Sequence, residues 1–121
     1  MKISVKKYNP ANEYYFEEGC FITELSNSAD DPEVSVARAR VEPGKTTRWH
    51  SLNGISERYV ILEGQGLVEV GESEPELVGV GDLVLIPAQQ RQRISNQGEK
   101  DLIFLAICNP AFDSSAYQDL E

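Results

Sequence analysis

The sequence predicts an all-β domain, a barrel or a sandwich, and three observations carry that expectation. Apolar-rich runs are short and are separated by glycine, proline and asparagine. Where the period can be read it is two: between Ser35 and Val41, Ala37, Ala39 and Val41 fall on one side and Arg38 and Arg40 on the other. No repeat of fixed period, low-complexity tract or linker interrupts the pattern. At 121 residues the chain suits one domain, 1–121, with a core barrel over about 19–109, and is too short for two.

The elements follow in order. Gly19 to Leu25 reads as a strand, and Asn27 to Pro32 as a polar turn. Ser35 to Val41 is the strand with one buried face, turned by Glu42-Pro43-Gly44. Thr46 to Leu52 reads as the next strand, followed by Asn53-Gly54 and a strand from Glu57 to Leu62. Glu63-Gly64-Gln65-Gly66 reads as a tight hairpin turn from which Leu67 to Val70 returns. Glu76 to Val80 and Asp82 to Ile86 flank Gly81, and Pro87 ends the second of them. Gln92 to Ser95 and Asp101 to Cys108 complete the strands. Asp113 to Leu120 fits a short helix capped by Asp113, pinned by Tyr117 and Leu120. Tyr14-Tyr15-Phe16 is too apolar for a disordered tail and is expected on the sheet or on a partner subunit.

Charge narrows the function. Eleven basic and twenty acidic residues give a net charge of −9, which argues against nucleic acid and anionic membrane surfaces. No run approaches the roughly 20 apolar residues of a spanning helix. Met1 to Lys7 carries positive charge with no apolar run behind it, so no secretory signal is read there. Cys20 and Cys108 form no ligand spacing. They are expected as two buried free thiols in a reducing cytoplasm.

The informative stretch is Gly44 to Gly64, with His50 and Glu57 between those glycines. It resembles the first motif of the cupin superfamily, G-x5-H-x-H-x3-4-E-x6-G. Gly81, Pro87 and Asn96 resemble the second, G-x5-P-x-G-x2-H-x3-N. The resemblance implies a double-stranded β-helix, or jelly roll, here with the short C-terminal helix, and a likeness to small proteins that pair as homodimers. It also implies a metal held by three histidines and a glutamate. This chain departs from that set. Leu52 stands where the second histidine belongs, Gln89 where the second motif has glycine, and Gln92 where it has histidine.

Alternation places Arg48, His50 and Leu52 on one face, Glu57, Tyr59 and Ile61 on a facing one, and Gln92, Ile94 and Asn96 on a third strand. The expected pocket holds His50, Glu57, Tyr59, Gln92 and Arg48 against Leu52, Ile61 and Ile94. Its expected ligand is a small, anionic organic molecule, with Arg48 as charge partner. Three readings stay open. In one, His50, Glu57 and Gln92 hold a weak divalent transition metal. In another, metal-free acid–base isomerisation or epimerisation uses His50 as base, oriented by Glu57, and Tyr59 as acid. In the third, the domain binds or senses a small molecule without chemistry. The plainer roles are weighed beside these. His50 can be a satisfied buried polar group, Glu57 a structural ion pair with Arg48 or Arg58, and Tyr59 a core tyrosine with one hydrogen bond. Trp49 reads as a packing or interface residue, and Arg38 and Arg40 leave their facing open.

Overall fold

The structure is a computed structural model and describes residues 1–121. Eleven strands follow one another: β1 Tyr14–Phe16, β2 Cys20–Ser26, β3 Ser35–Val41, β4 His50–Leu52, β5 Ser56–Glu63, β6 Gln65–Val70, β7 Glu76–Gly79, β8 Leu83–Ile86, β9 Gln92–Ser95, β10 Leu102–Asn109 and β11 Tyr117–Asp119. They form two sheets with antiparallel pairing throughout. One has the order β1-β2-β3-β10-β5-β8 and the other β11-β4-β9-β6-β7. The sheets face each other as a jelly-roll barrel. No helix is long and apolar enough to cross a membrane.

The alternation in β3 holds. Ala39 and Val41 are buried, while Arg38 and Arg40 face outward to Glu13. Arg40 grips that carboxylate with Nε and Nη2 at 3.0 and 2.7 Å, and its guanidinium lies 4.3 Å from the centre of the Phe21 ring. A core of twelve buried residues, among them Val41, Ile61, Ile94, Leu102 and Phe104, fills one half of the barrel. Asn96 is 1% exposed and acts as a staple. Its amide donates to the carbonyls of Val41 and Lys100, and its side-chain oxygen accepts from Gly98 N–H.

Three expectations change. Glu63 to Gly66 is not a hairpin: β5 pairs with β10 and β8, whereas β6 pairs with β7 and β9. The chain crosses between sheets at Gly64, whose φ is +80° and whose missing Cβ would stand 2.6 Å from the Asp101 carbonyl oxygen. Only glycine passes that corner. The strand expected over Thr46–Leu52 is broken. Thr46 makes a single bridge to Ser95, the Thr47 hydroxyl accepts from Ile94 N–H at 3.0 Å, and regular pairing resumes at His50. The C-terminal helix shrinks to one 3-10 turn over Ser114–Ala116, with Asp113 capping it by accepting from Ser115 N–H. Beyond it, Tyr117, Gln118 and Asp119 pair as β11 with Leu52, Ser51 and His50. Tyr14 to Phe16 does lie on the sheet, as β1 against β2.

Candidate functional site

His50 opens β4 and is 2% exposed. Its Nδ1–H donates to the Arg48 carbonyl oxygen, 2.7 Å away, which leaves the Nε2 side of the ring for Glu18. Glu18 Oε1 lies 3.1 Å from Nε2. Glu18 sits in the turn between β1 and β2, where Gly19 takes a φ of +108°. The turn is tied to the segment before β4, because Arg48 N–H donates to the Glu18 carbonyl at 2.8 Å. The Tyr117 ring stacks on the imidazole, with centroids 5.2 Å apart and planes at 21°. β11 therefore roofs the histidine.

Glu57 lies on β5, 8% exposed, and it is an acceptor on both oxygens. Gln92 Nε2 donates to Oε1 at 3.0 Å, and the thiol of Cys108, its cross-strand neighbour, to Oε2 at 3.6 Å. Tyr59 donates its hydroxyl to Gln92 Oε1 at 2.5 Å. A chain of neutral donors thus runs Tyr59 to Gln92 to Glu57. On the other carboxylate, Cys20 donates to Glu18 Oε2 at 3.5 Å.

Burial sets the protonation chemistry. It pushes the Glu18 carboxyl up to about 7, against the smaller downward pull of the Cys20 thiol. Glu57 is also pushed up to about 7, first by burial and then by the neighbouring Glu18 charge. Burial lowers His50 below its ordinary value. Burial also raises both thiols and the Tyr59 hydroxyl, so these groups stay protonated and act as hydrogen-bond donors. Glu18 Oε1 and His50 Nε2 stand 3.1 Å apart, so a protonated Glu18 can donate to the neutral imidazole.

Glu18, Glu57, Tyr59 and Phe104 line a cavity of about 60 Å³, which opens between Tyr14, Phe16 and Phe112. Phe16 meets Phe112 and Tyr117 edge-on, at 6.5 and 5.2 Å between centroids. Strand β1 and the C-terminal segment thereby share the mouth.

Several expected site residues stand elsewhere. Arg48 is not in the pocket: its side chain is 41% exposed and pairs with Asp119 at 3.1 Å. The irregular backbone at Thr47 breaks the period-two count that put Arg48 beside His50. The expectation of an anionic ligand rested on Arg48 and falls with it. Leu52 is buried with Ile55 and Cys108 under Phe112, Ala116 and Tyr117, outside the cavity lining. Ile61 and Ile94 belong to the apolar core. Glu57 pairs with neither Arg48 nor Arg58; Arg58 donates to Ser56. His50 is oriented by Glu18 and the Arg48 carbonyl rather than by Glu57. Trp49 packs between the guanidiniums of Arg91 and Arg93, 4.5 and 4.3 Å from its ring centre.

The residues present do not fit the metal that the family pattern implies. His50 Nε2 is turned to Glu18. The Gln92 oxygen is taken by Tyr59, and its amide nitrogen faces Glu57. No group of three or more His, Cys, Asp and Glu side chains is placed to hold an ion. Glu57 and Gln92 share a hydrogen bond, while His50, in backbone register with Gln92, spends its ring nitrogens on the Arg48 carbonyl and Glu18, so the three do not converge on a common point.

Glu18 and Tyr117 were missed by sequence reasoning. Glu18 carries one signal, a carboxylate directly before the turn glycine Gly19. Tyr117 was read as a helix pin because nothing local marks a three-residue edge strand.

The fold has counterparts. Residues 37–108 match a family model described as a cupin domain. The uncharacterized protein MJ1618 of Methanocaldococcus jannaschii is 32% identical over 123 residues, covering 100% of this chain and 98% of that one. Pac13, described as a nucleoside dehydratase and also solved with uridine as a Streptomyces protein, superposes with a TM-score of 0.78 at 22% identity, over 98% of this chain and 92% of that one. KdgF from Halomonas sp. gives 0.81 at 16% identity, over 94% and 99%.

Proposed function

This chain belongs to the cupin family, and from that premise we propose that it is an acid–base catalyst acting on a small organic molecule in the cavity between Glu18 and Glu57. One observation carries the reading. Two carboxyls on one cavity, with different partners, are both pushed up to about 7, where a group can give or take a proton at neutral pH. Glu57, the focus of the donors Gln92 and Cys108, is the base. Glu18, pushed up by burial and placed to donate to His50 Nε2, is the acid.

The step is proton abstraction beside a carbonyl. Glu57 takes the proton from the carbon, the C–H pair becomes the carbon–carbon double bond of an enol, and Glu18 protonates the carbonyl oxygen. Return of a proton to either carbon gives epimerisation or isomerisation. The enol hydroxyl returns its proton to Glu18 as the carbonyl re-forms, His50 Nε2 holds the Glu18 carboxyl in place as an acceptor, and Tyr59 holds Gln92 in place. Pac13, described as a dehydratase, lends a parallel in fold.

The test is deuterium wash-in. The protein is incubated in D₂O with small hydroxy- and amino-carbonyl compounds, and loss of the proton beside the carbonyl is followed by proton NMR. Exchange is expected to be fastest near neutral pH, and Glu57→Gln is expected to slow it by about 10²-fold or more. Binding without exchange for every compound favours the second reading, a binding module, which the apolar Leu52 and amide Gln92 at the family's ligand positions support. The reading includes a homodimer. Tyr14 and Tyr15, 44% and 61% exposed on edge strand β1, offer it an apolar edge, and sedimentation at micromolar concentration tests it.

A further inference from the structure

The same cavity has a charge asymmetry that names a class of ligand. Five aromatic rings line it: Tyr14, Phe16, Tyr59, Phe104 and Phe112. Three carboxyls, Glu18, Glu24 and Glu57, share that lining, and no lysine, arginine or histidine does. The arginines are engaged elsewhere: Arg38 and Arg40 with Glu13, Arg48 with Asp119, Arg58 with Ser56, and Arg91 and Arg93 with Trp49. The donors reaching Glu57 are neutral, an amide and a thiol. The Tyr117 hydroxyl, buried beside the site without a hydrogen-bond partner, is free to donate or accept and carries no charge.

A buried carboxylate without a counter-charge is costly. Aromatic faces carry negative potential and attract cations, most strongly where water is excluded. Both features favour positive charge and disfavour an anion. Size narrows the class further. About 60 Å³, where one water needs roughly 10–15 Å³, takes a ligand of on the order of four heavy atoms.

We propose that the ligand of this cavity is a small organic cation, an ammonium group set between Glu18 and Glu57 with its alkyl part against the aromatic rings. This rests on the cavity assigned above but not on its chemistry. Saturable cation binding with no deuterium exchange removes the acid–base reading and leaves the cation; exchange with a neutral carbonyl compound and no cation binding does the reverse.

The experiment is an NMR titration of the full chain at pH 8 with three probes of four heavy atoms each: trimethylammonium, propan-2-ol and acetate. Trimethylammonium should shift the amides of His50, Glu57 and Cys108 saturably, and the other two should not. Glu57→Gln should weaken it about 10- to 100-fold, the loss of one charge-assisted contact. If that variant does not fold, Glu24→Gln at the mouth should weaken it several-fold. Several titratable groups face the two carboxyls. They are Tyr14 from β1, Cys20 and Glu24 from β2, His50 from β4, Tyr59 from β5, Cys108 from β10 and Tyr117 from β11. With Glu18 and Glu57 pushed up to about 7, affinity should fall by up to about tenfold per pH unit below that value, because protons compete with the cation. Equal binding of acetate or propan-2-ol, no binding of trimethylammonium, or its displacement by micromolar Zn²⁺ or Mn²⁺ with the same amides shifted would overturn the inference.

Discussion

One alternation of side chains builds both halves of the barrel interior, and the halves are filled in opposite ways. In the first, Val41, Ile61, Ile94 and Leu102 interlock as an apolar core. In the second, His50, Glu57 and Gln92 are buried almost as deeply, with the Glu18 side chain 13% exposed, and they are held as two polar pairs, His50 with Glu18 and Glu57 with Gln92. Each large apolar side chain contributes about 1.5–3 kcal/mol by leaving water. The polar half works against the fold, since a carboxyl moved from water into the interior is penalised unless fully paired. A barrel needing only stability would be apolar throughout. The contrast assigns the fold to one half and the chemistry to the other.

The sharpest way to break that division is to measure stability on each side of it. Leu102→Ala, in the apolar half, should cost about 2–5 kcal/mol in a denaturant melt. A loss under about 1 kcal/mol would mean the core is not where the burial puts it. The next effect is pH dependence. Glu18 and Glu57 have folded-state values near 7 against an ordinary 4.5, so between those limits the folded chain holds protons that the unfolded chain has released. Their contribution is present below about 4.5 and is lost as pH rises through about 7. His50, lowered by burial, works the other way below its ordinary 6.5. The two carboxyls outweigh it, and stability should fall from pH 5 to pH 8 by up to roughly 3 kcal/mol per carboxyl. Urea midpoints at the two pH values read this directly. Glu57→Gln should flatten the profile and stabilise the protein at pH 8, the opposite sign to the core substitution.

Two smaller effects test the network. Tyr59→Phe removes the donor to Gln92 and should cost about 1 kcal/mol, with the barrel otherwise intact. A neutral result would mean that the buried amide finds another partner. The smallest change belongs to Gln89, which stands where the family pattern has glycine and keeps a glycine-like φ of +72°. Its amide oxygen accepts from Gly54 N–H and its nitrogen donates to Asn53, so a side chain offsets backbone strain. Gln89→Gly should leave the melting temperature nearly unchanged.

The strands were readable because period two and turn residues are local signals, as β3 and β9 illustrate with the boundaries expected of them. Gly64 was recognisable as a glycine that matters, but its crossing between sheets depends on Asp101, which no local pattern connects to it. Within the site, His50 and Glu57 stood out through motif spacing. Glu18 did not, because its role is created by the β1–β2 turn folding over a histidine far along the chain. Arg48 was misplaced for a related reason: counting by twos assumes a continuous strand, and the Thr47 hydroxyl interrupts it. The sign of the charge inside the cavity depended on both residues, so counting Arg48 in and leaving Glu18 out pointed to an anion.

The short strand β11 gives the site a folding order. Tyr117 can stack on His50 only after the last strand has added its three-residue pairing to β4, whereas the β3–β10–β5 layer forms along seven or more paired positions on each side. So brief a ladder is the piece that local opening can release at least cost, without unravelling the barrel. Amide exchange at Tyr117 to Asp119 should therefore run well ahead of exchange in β10. Each such opening uncovers the imidazole, so the access of solvent to His50 is governed by the fraying of this strand and is kinetically separate from the stability of the fold.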